Sequence, residues 1–181
     1  MSKLAPTGMQ GLGLVECLMY CAILGILLGK ALPAMQELRL RQRIQGLAET
    51  VRTDVMLARG ESMRLGEAVH VRFNVHATGT CYLLHTGASG ACACNSDGLA
   101  VCSAEAQSLK LHWIPLELRA SVKANVPSMA FSGYRGTVSP TGSIDIAATD
   151  RKATIRHVVS LAGRVRSCTP DGSFRRLNAC S

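Results

Sequence analysis

The chain opens with a polar stretch, MSKLAPTGMQG, and then runs through eighteen residues, 12–29, whose only charge is Glu16. At about 1.5 Å of rise per residue, eighteen helical residues reach roughly 27 Å, close to the thickness of a bilayer core. Beyond this stretch the apolar positions thin out, but the helical period persists. Leu40, Ile44, Leu47, Val51, Val55 and Ala58 recur at three- and four-residue steps, while Arg41, Arg43, Glu49, Arg52 and Arg59 take other faces. The spacing predicts one long helix over 12–65, its first half suited to lipid and its second half amphipathic. Gly60 and Gly66 are candidate stops, and Pro33 near the middle is expected to bend the helix.

From residue 67 the period changes to two. AVHVRFNV (68–75), TCYLLH (80–85), SLKLHW (108–113), SIDIAA (143–148) and ATIRHVVS (153–160) alternate, with Gly, Pro, Asn or Ser punctuation between them. The last of these is expected to run on to near Gly163. The predicted fold class is therefore α+β: an antiparallel sheet domain laid on the apolar face of the helix. The organisation reads as a leader over 1–11, a hydrophobic half-helix over 12–38, an amphipathic half-helix over 39–66 and a β-rich domain over 67–181. No internal repeat and no low-complexity segment is present.

Composition agrees with one folded domain. Of 181 residues 48% are hydrophobic and 18% charged, which excludes a disordered chain, and one apolar stretch of spanning length excludes a polytopic membrane protein. Aromatics make up only 4%, too few for a base-stacking platform. The formal charge of +8 is uneven. Residues 67–133 balance to zero, whereas residues 134–181 carry eight basic and three acidic groups. That excess points to the last quarter for an anionic partner.

Eight cysteines are more than a reduced cytosolic protein of this size usually carries, and they favour an oxidising compartment. Cys17 and Cys21 lie one turn apart in the apolar helix and are expected to pack as small apolar residues. Cys81, Cys92, Cys94 and Cys102 surround the GASGACACNSDG loop. The single residue between Cys92 and Cys94 fits zinc-ligand spacing poorly, so disulfides are expected, with all three pairings among the four left open. Cys168 and Cys180, bracketing the tail, are expected to pair. His70, His76, His85, His112 and His157 are scattered, with no triad and no metal-ligand spacing. No enzyme activity, no metal and no cofactor is expected.

The N-terminal residues resemble the class III signal of type IV pilins and type II secretion pseudopilins. Gly11 resembles the glycine before the prepilin-peptidase cut, and Leu12 the new, N-methylated first residue. Glu16 falls on the family's glutamate at the fifth mature position, and Pro33 where many pilins place a proline. Gly13 departs from the commoner threonine. The resemblance implies a single-pass inner-membrane protein with its domain in the periplasm, later carried into a cell-surface pilus. It also implies an assembly role for Glu16: an unpaired carboxylate or amine is costly in lipid, and Glu16 can neutralise the Leu12 amine of a neighbouring subunit.

The C-terminal run LAGRVRSCTPDGSFRRLNAC carries a second resemblance. Arg164 and Arg166 flank Val165, and in an extended segment their side chains point to one side, about 6.5–7 Å apart. Gly163, Arg164 and Arg166 resemble the Gly-Arg-x-Arg motif of the FimT branch of the GspH/FimT minor pilins, associated there with DNA binding in natural transformation. Arg175 and Arg176 in the tail, with Arg151, Lys152 and Arg156, are expected to widen the patch. The implied function is a minor pilin that binds double-stranded DNA without sequence preference. The alternatives are a GspH-like secretion pseudopilin and a purely structural minor pilin.

Overall fold

The computed structural model describes residues 13–150 and 153–180. Gly11, Leu12, Arg151 and Lys152 lie outside the described residues. The chain divides into two units, one ending at Arg39 and the other spanning Leu40–Ser181. Helix α1, Leu14–Leu65, contributes to both and continues through Pro33. Helix formation starts beside Glu16, whose charge in the first turn complements the helix dipole.

In the first unit the large apolar side chains from Leu14 to Leu38, those of Leu, Ile, Val, Met and Tyr, are each more than half exposed. By length and composition this is a candidate membrane anchor, and among the described residues α1 is the one helix that qualifies. In the second unit α1 buries a stripe of Ile44, Ala48, Val51, Val55 and Ala58, each at most 2% exposed. The helix passes Gly60 and stops at Leu65, where Gly66 takes the left-handed φ of +71° that ends helices cheaply only at glycine.

Among the described residues eleven strands follow. They are β1 (Val69–His76), β2 (Gly79–His85), β3 (Cys92–Cys94), β4 (Ala100–Cys102), β5 (Ser108–Pro115), β6 (Ala120–Ala124), β7 (Ser128–Phe131), β8 (Val138–Ser139), β9 (Gly142–Ala148), β10 (Thr154–Val159) and β11 (Val165–Cys168). The described strands make a five-stranded sheet in the order β5-β2-β1-β7-β8, a four-stranded sheet in the order β11-β10-β9-β6, and the small hairpin β3-β4. All of their pairings are antiparallel. The long helix and the antiparallel α+β domain match the expected fold. All five expected strands are present, β6, β7 and β8 complete the sheets, and β11 pairs with β10.

One core cluster joins the stripe of α1 to both large sheets. It takes Val69, Val71 and Phe131 from the first sheet and Val122, Ile144, Ile146 and Ile155 from the second. Two polar groups of the stripe's surroundings are buried with it. Asp54, 1% exposed, accepts hydrogen bonds from the Tyr82 hydroxyl (2.7 Å) and from Lys110 Nζ (2.6 Å). Burial, then the bond to Asp54, pushes the Tyr82 phenol far above its ordinary range. Lys110 stays 41% exposed, so the pair is a buried anion tied to a half-wet cation.

The disulfides are Cys81–Cys94, Cys92–Cys102 and Cys168–Cys180. Cys81–Cys94 pins the β3-β4 hairpin to β2, and Cys92–Cys102 links the two strands of that hairpin at directly paired positions. Cys17 and Cys21 remain free thiols on exposed positions of α1.

The Asp54 site makes an asymmetric prediction. Lys110→Met leaves the carboxylate buried with one neutral donor and should cost about 3 kcal/mol. Tyr82→Phe removes that neutral donor and should cost about 1–3 kcal/mol. Denaturant midpoints of a soluble 40–181 fragment measure both. The double variant Asp54→Asn/Lys110→Met should recover part of the Lys110→Met loss, because the buried charge is gone.

Candidate nucleic-acid interface

Strands β10 and β11 form a hairpin at the edge of the four-stranded sheet. Its register sets Arg156 opposite Cys168, His157 opposite Ser167, Val158 opposite Arg166 and Val159 opposite Val165. The expectation of a strand reaching Gly163 is corrected: β10 ends at Val159. Residues 160–163 are a turn, closed by Gly163 N–H on the Ser160 carbonyl (2.8 Å) and by Ser160 N–H on the Arg164 carbonyl (3.0 Å). A tight reversal needs a residue that tolerates positive φ, and Gly163 sits at φ +69°.

Gly163 is also buried. A Cβ there would lie 2.8 Å from the Gly136 carbonyl oxygen and 2.9 Å from Arg59 Cδ. Its bare face is therefore filled by the chain's own loop and helix.

Beyond the turn, alternation sorts the side chains by environment. Val165 packs on the core and Ser167 lies beside His157, while Arg164 and Arg166 are exposed. Their guanidiniums take part in no ion pair among the described residues. Arg156 behaves differently. Its Nε and Nη2 donate to the two carboxylate oxygens of Asp145 at 2.6 and 2.8 Å, a bidentate pair that neutralises it. Both residues line a groove of about 560 Å³ that also includes Lys123 and Asp171. Arg156, expected in the basic patch, is thus held by Asp145.

The structure adds Arg135, which the sequence reading missed. Arg59 Nε donates to the Gly136 carbonyl (3.0 Å), and Val138 N–H donates to the Leu161 carbonyl (3.0 Å). These bonds hold the loop before β8 against the Gly163 turn, so exposed Arg135 lies on a loop adjoining Arg164. The available signal was local: Tyr134, 91% exposed, and Arg135 stand between Gly133 and Gly136, a loop tip pairing an aromatic with a cation.

The tail carries Arg175 and Arg176, both exposed, on a segment closed by Cys168–Cys180. Phe174, 4% exposed, anchors it in the core, and the Ser173 carbonyl accepts from Arg41 Nη1 at 3.3 Å. Burial alone would raise the Asp171 carboxyl. Hydrogen bonds from Ser173 and from the Thr169 hydroxyl outweigh it and hold the carboxyl below its ordinary value.

The hairpin is tied to α1 by a buried histidine. His157 Nε2 donates to the Ala48 carbonyl (2.8 Å), and its Nδ1 accepts from the Ser167 hydroxyl (3.0 Å). Burial lowers its pKa from the ordinary 6.5, with Arg52 adding to the effect and the Ala48 bond and Glu49 opposing it. Burial likewise lowers His70, His85 and His112. Each therefore binds fewer protons folded than unfolded near pH 6.5. Their contribution to stability is complete above that pH and is lost as pH falls below it. Each histidine adds a slope of at most about 1.4 kcal/mol per pH unit. Denaturant midpoints of the 40–181 fragment should fall between pH 8 and pH 5, and His157→Gln should flatten that fall while lowering stability at pH 8.

Comparison with known proteins places the geometry. Residues 47–163 match the family described as type II transport protein GspH. The fold resembles the type IV minor pilin FimU of Pseudomonas aeruginosa in two crystal forms. The first has TM-score 0.53, 17% identity, 70% of this chain and 88% of that one; the second has 0.52, 16%, 72% and 99%. The minor pseudopilin EpsH of the Vibrio cholerae type 2 secretion system aligns at TM-score 0.46 and 13% identity over 70% of this chain and 96% of that one. No curated protein sequence matches the chain.

Proposed function

This chain belongs to the family of the type II transport protein GspH, and from that premise we propose that it is a minor type IV pilin that binds duplex DNA through its arginine hairpin. The observation carrying the proposal is that Arg164 and Arg166 are exposed on one side of an edge strand, in no ion pair among the described residues, while Val165, Ser167 and His157 fix that strand to the core. Arg135, Arg175 and Arg176 add exposed positive charge from the adjoining loop and the tail. Guanidiniums at this spacing suit successive phosphates of one strand, and phosphate neutralisation with counterion release supplies non-specific affinity. Base readout is not part of the proposal: no helix is presented to a major groove, and the few aromatics offer no stacking surface.

The test is retardation of random-sequence duplex by the oxidised 40–181 fragment. With about three to five phosphates neutralised, affinity should be micromolar or weaker and fall with a log–log salt slope of roughly −3 to −4.5. Arg164→Gln/Arg166→Gln should abolish most of the retardation with an unchanged circular dichroism spectrum. Undiminished binding by the double variant would move the site to Arg175, Arg176 or Arg135. The reading as a secretion pseudopilin is favoured by the description of the matched family, whose match ends at Gly163, before either arginine. Absence of retardation by the parent fragment would decide for that reading or for a purely structural pilin.

The membrane half of the proposal rests on the exposed apolar stretch of α1 and on Glu16 at its start. Prepilin peptidase cuts after Gly11 at the inner membrane, Leu12 becomes the methylated first residue, and Glu16 pairs with the amine of a neighbouring pilin in the filament. Intact mass of membrane-extracted protein should begin at Leu12. Glu16→Ala should be cut normally yet enter filaments poorly; equal incorporation would remove the charge-pair role.

A further inference from the structure

The outer face of the five-stranded sheet, beneath the β3-β4 hairpin, holds a side-chain cluster that the arginine hairpin does not use. His76 ends β1, Cys81 lies on β2 and Cys94 ends β3. A ring nitrogen of His76, Cys81 Sγ and Cys94 Sγ all lie within 4.8 Å of one another. Nε2 is 3.0 Å from the Cys94 carbonyl oxygen and 4.0 Å from Cys94 Sγ. Cys81 is fully buried and Cys94 is 4% exposed, while His76 is half-buried and also lines the groove of about 560 Å³. Asn74, the Cα partner of Cys81, has its buried Oδ1 without a hydrogen bond.

We propose that, when the Cys81–Cys94 disulfide is reduced, His76, Cys81 and Cys94 bind one zinc ion, so that the β3-β4 hairpin is clasped to the sheet by either a disulfide or a metal. The donor set is the argument. Two thiolates and one imidazole suit Zn²⁺, and their charge cancels that of the ion, so the buried site is neutral. The ligands come from three separate strands already fixed by the sheet and the hairpin, so little ordering is needed on binding. Half-buried His76 is the ligand nearest solvent, which leaves a water to take the fourth position. Cys92 and Cys102 have no equivalent: among the described residues, no His, Cys, Asp or Glu completes a set with them.

The steps balance. An external dithiol gives two electrons and two protons to the Cys81–Cys94 bond and becomes a disulfide itself. Zn²⁺ then displaces the two thiol protons to solvent, which makes its affinity rise with pH. Neutral His76, whose Nε2–H donates to the Cys94 carbonyl, loses that proton to solvent and takes one up on Nδ1, which breaks the hydrogen bond and frees the Nε2 lone pair. In air, O₂ takes two electrons from the thiolate pair and two protons from solvent to become hydrogen peroxide, which returns the disulfide and releases the ion.

The test uses the full chain in detergent, with Cys17→Ser/Cys21→Ser to remove the helix thiols. The chain is reduced without oxygen by a phosphine, then alkylated with and without one equivalent of Zn²⁺. Peptide mass spectrometry should find Cys81 and Cys94 protected only with zinc, and Cys92, Cys102, Cys168 and Cys180 labelled in both. Co²⁺ in place of zinc should give thiolate charge-transfer and tetrahedral d–d absorption. His76→Ala should weaken binding at least about 100-fold, more than loss of an outer-shell partner does. Because full reduction also opens the other two bridges, Cys94→His provides a second arm. It needs no reductant, leaves Cys92–Cys102 and Cys168–Cys180 oxidised, and should bind one Co²⁺ in a manner abolished by His76→Ala. Absence of metal binding in both arms, equal protection of Cys92 and Cys102, or undiminished binding in the His76→Ala variants would each overturn the proposal. The outcome is independent of nucleic-acid binding.

Discussion

The domain depends on the seam where α1 meets two sheets at once. Ile44, Ala48, Val51, Val55 and Ala58 supply the buried area, but small and branched apolar side chains leave a helix free to slide or roll between nearly equivalent packings. Two buried polar groups remove that freedom. Asp54 must meet both Tyr82 and Lys110, and the Ala48 carbonyl must meet His157. A shift of one helical turn would leave a carboxylate and an imidazole desolvated without partners, a penalty larger than any packing difference between neighbouring registers. The apolar stripe makes the seam stable, and the polar pair makes it unique.

That constraint reaches the arginine hairpin through one side chain. His157 lies on β10, its other ring nitrogen takes the Ser167 hydroxyl of β11, and Ser167 follows Arg166 directly. The orientation of Arg166 is therefore set by the same histidine that fixes the helix. Gly163 acts from the other end of β11, because the turn it permits packs on Arg59 of α1 and on Gly136. Both ends of the strand are referenced to the helix, which makes the arginine pair part of the rigid body rather than a mobile loop.

Much of this was legible in the sequence, and the failures have physical causes. The helix and five strands announced themselves because 3.6- and 2-residue periods persist over many residues. Strands β6, β7 and β8 have two to five residues each, too few for a period to show against their Asn, Pro and Gly neighbours. Asp54 and His157 break the apolar pattern, so a pattern-based reading passes over the two groups that fix the register. Arg156 counted as a free cation because its neutralising partner, Asp145, is a cross-strand neighbour on β9, a relation that sequence distance hides. His76 looked isolated for the same reason: hairpin β3-β4 folds back to bring Cys94 beside it, and no linear spacing encodes that return.

Edge position sharpens the meaning of the remaining charge. Strand β11 ends the four-stranded sheet, and an exposed edge is commonly guarded by a charge against pairing with another chain. One cation suffices for that purpose, and the tail already lies beside the end of β11, through the Cys168–Cys180 bridge and the Thr169–Ala179 pairing. Edge protection thus accounts for an arginine but not for two on the same side with Arg135 on the adjoining loop. Repulsion among like charges is a cost the fold carries with no ion pair to Arg164 or Arg166 among the described residues, although Asp145 shows that the same sheet supplies an acid where neutralisation is required. An uncompensated cationic array on a rigid support is the arrangement that gains most from an external polyanion. A filament presenting several such subunits would multiply a weak single-site affinity through effective concentration, without any further contact within the subunit.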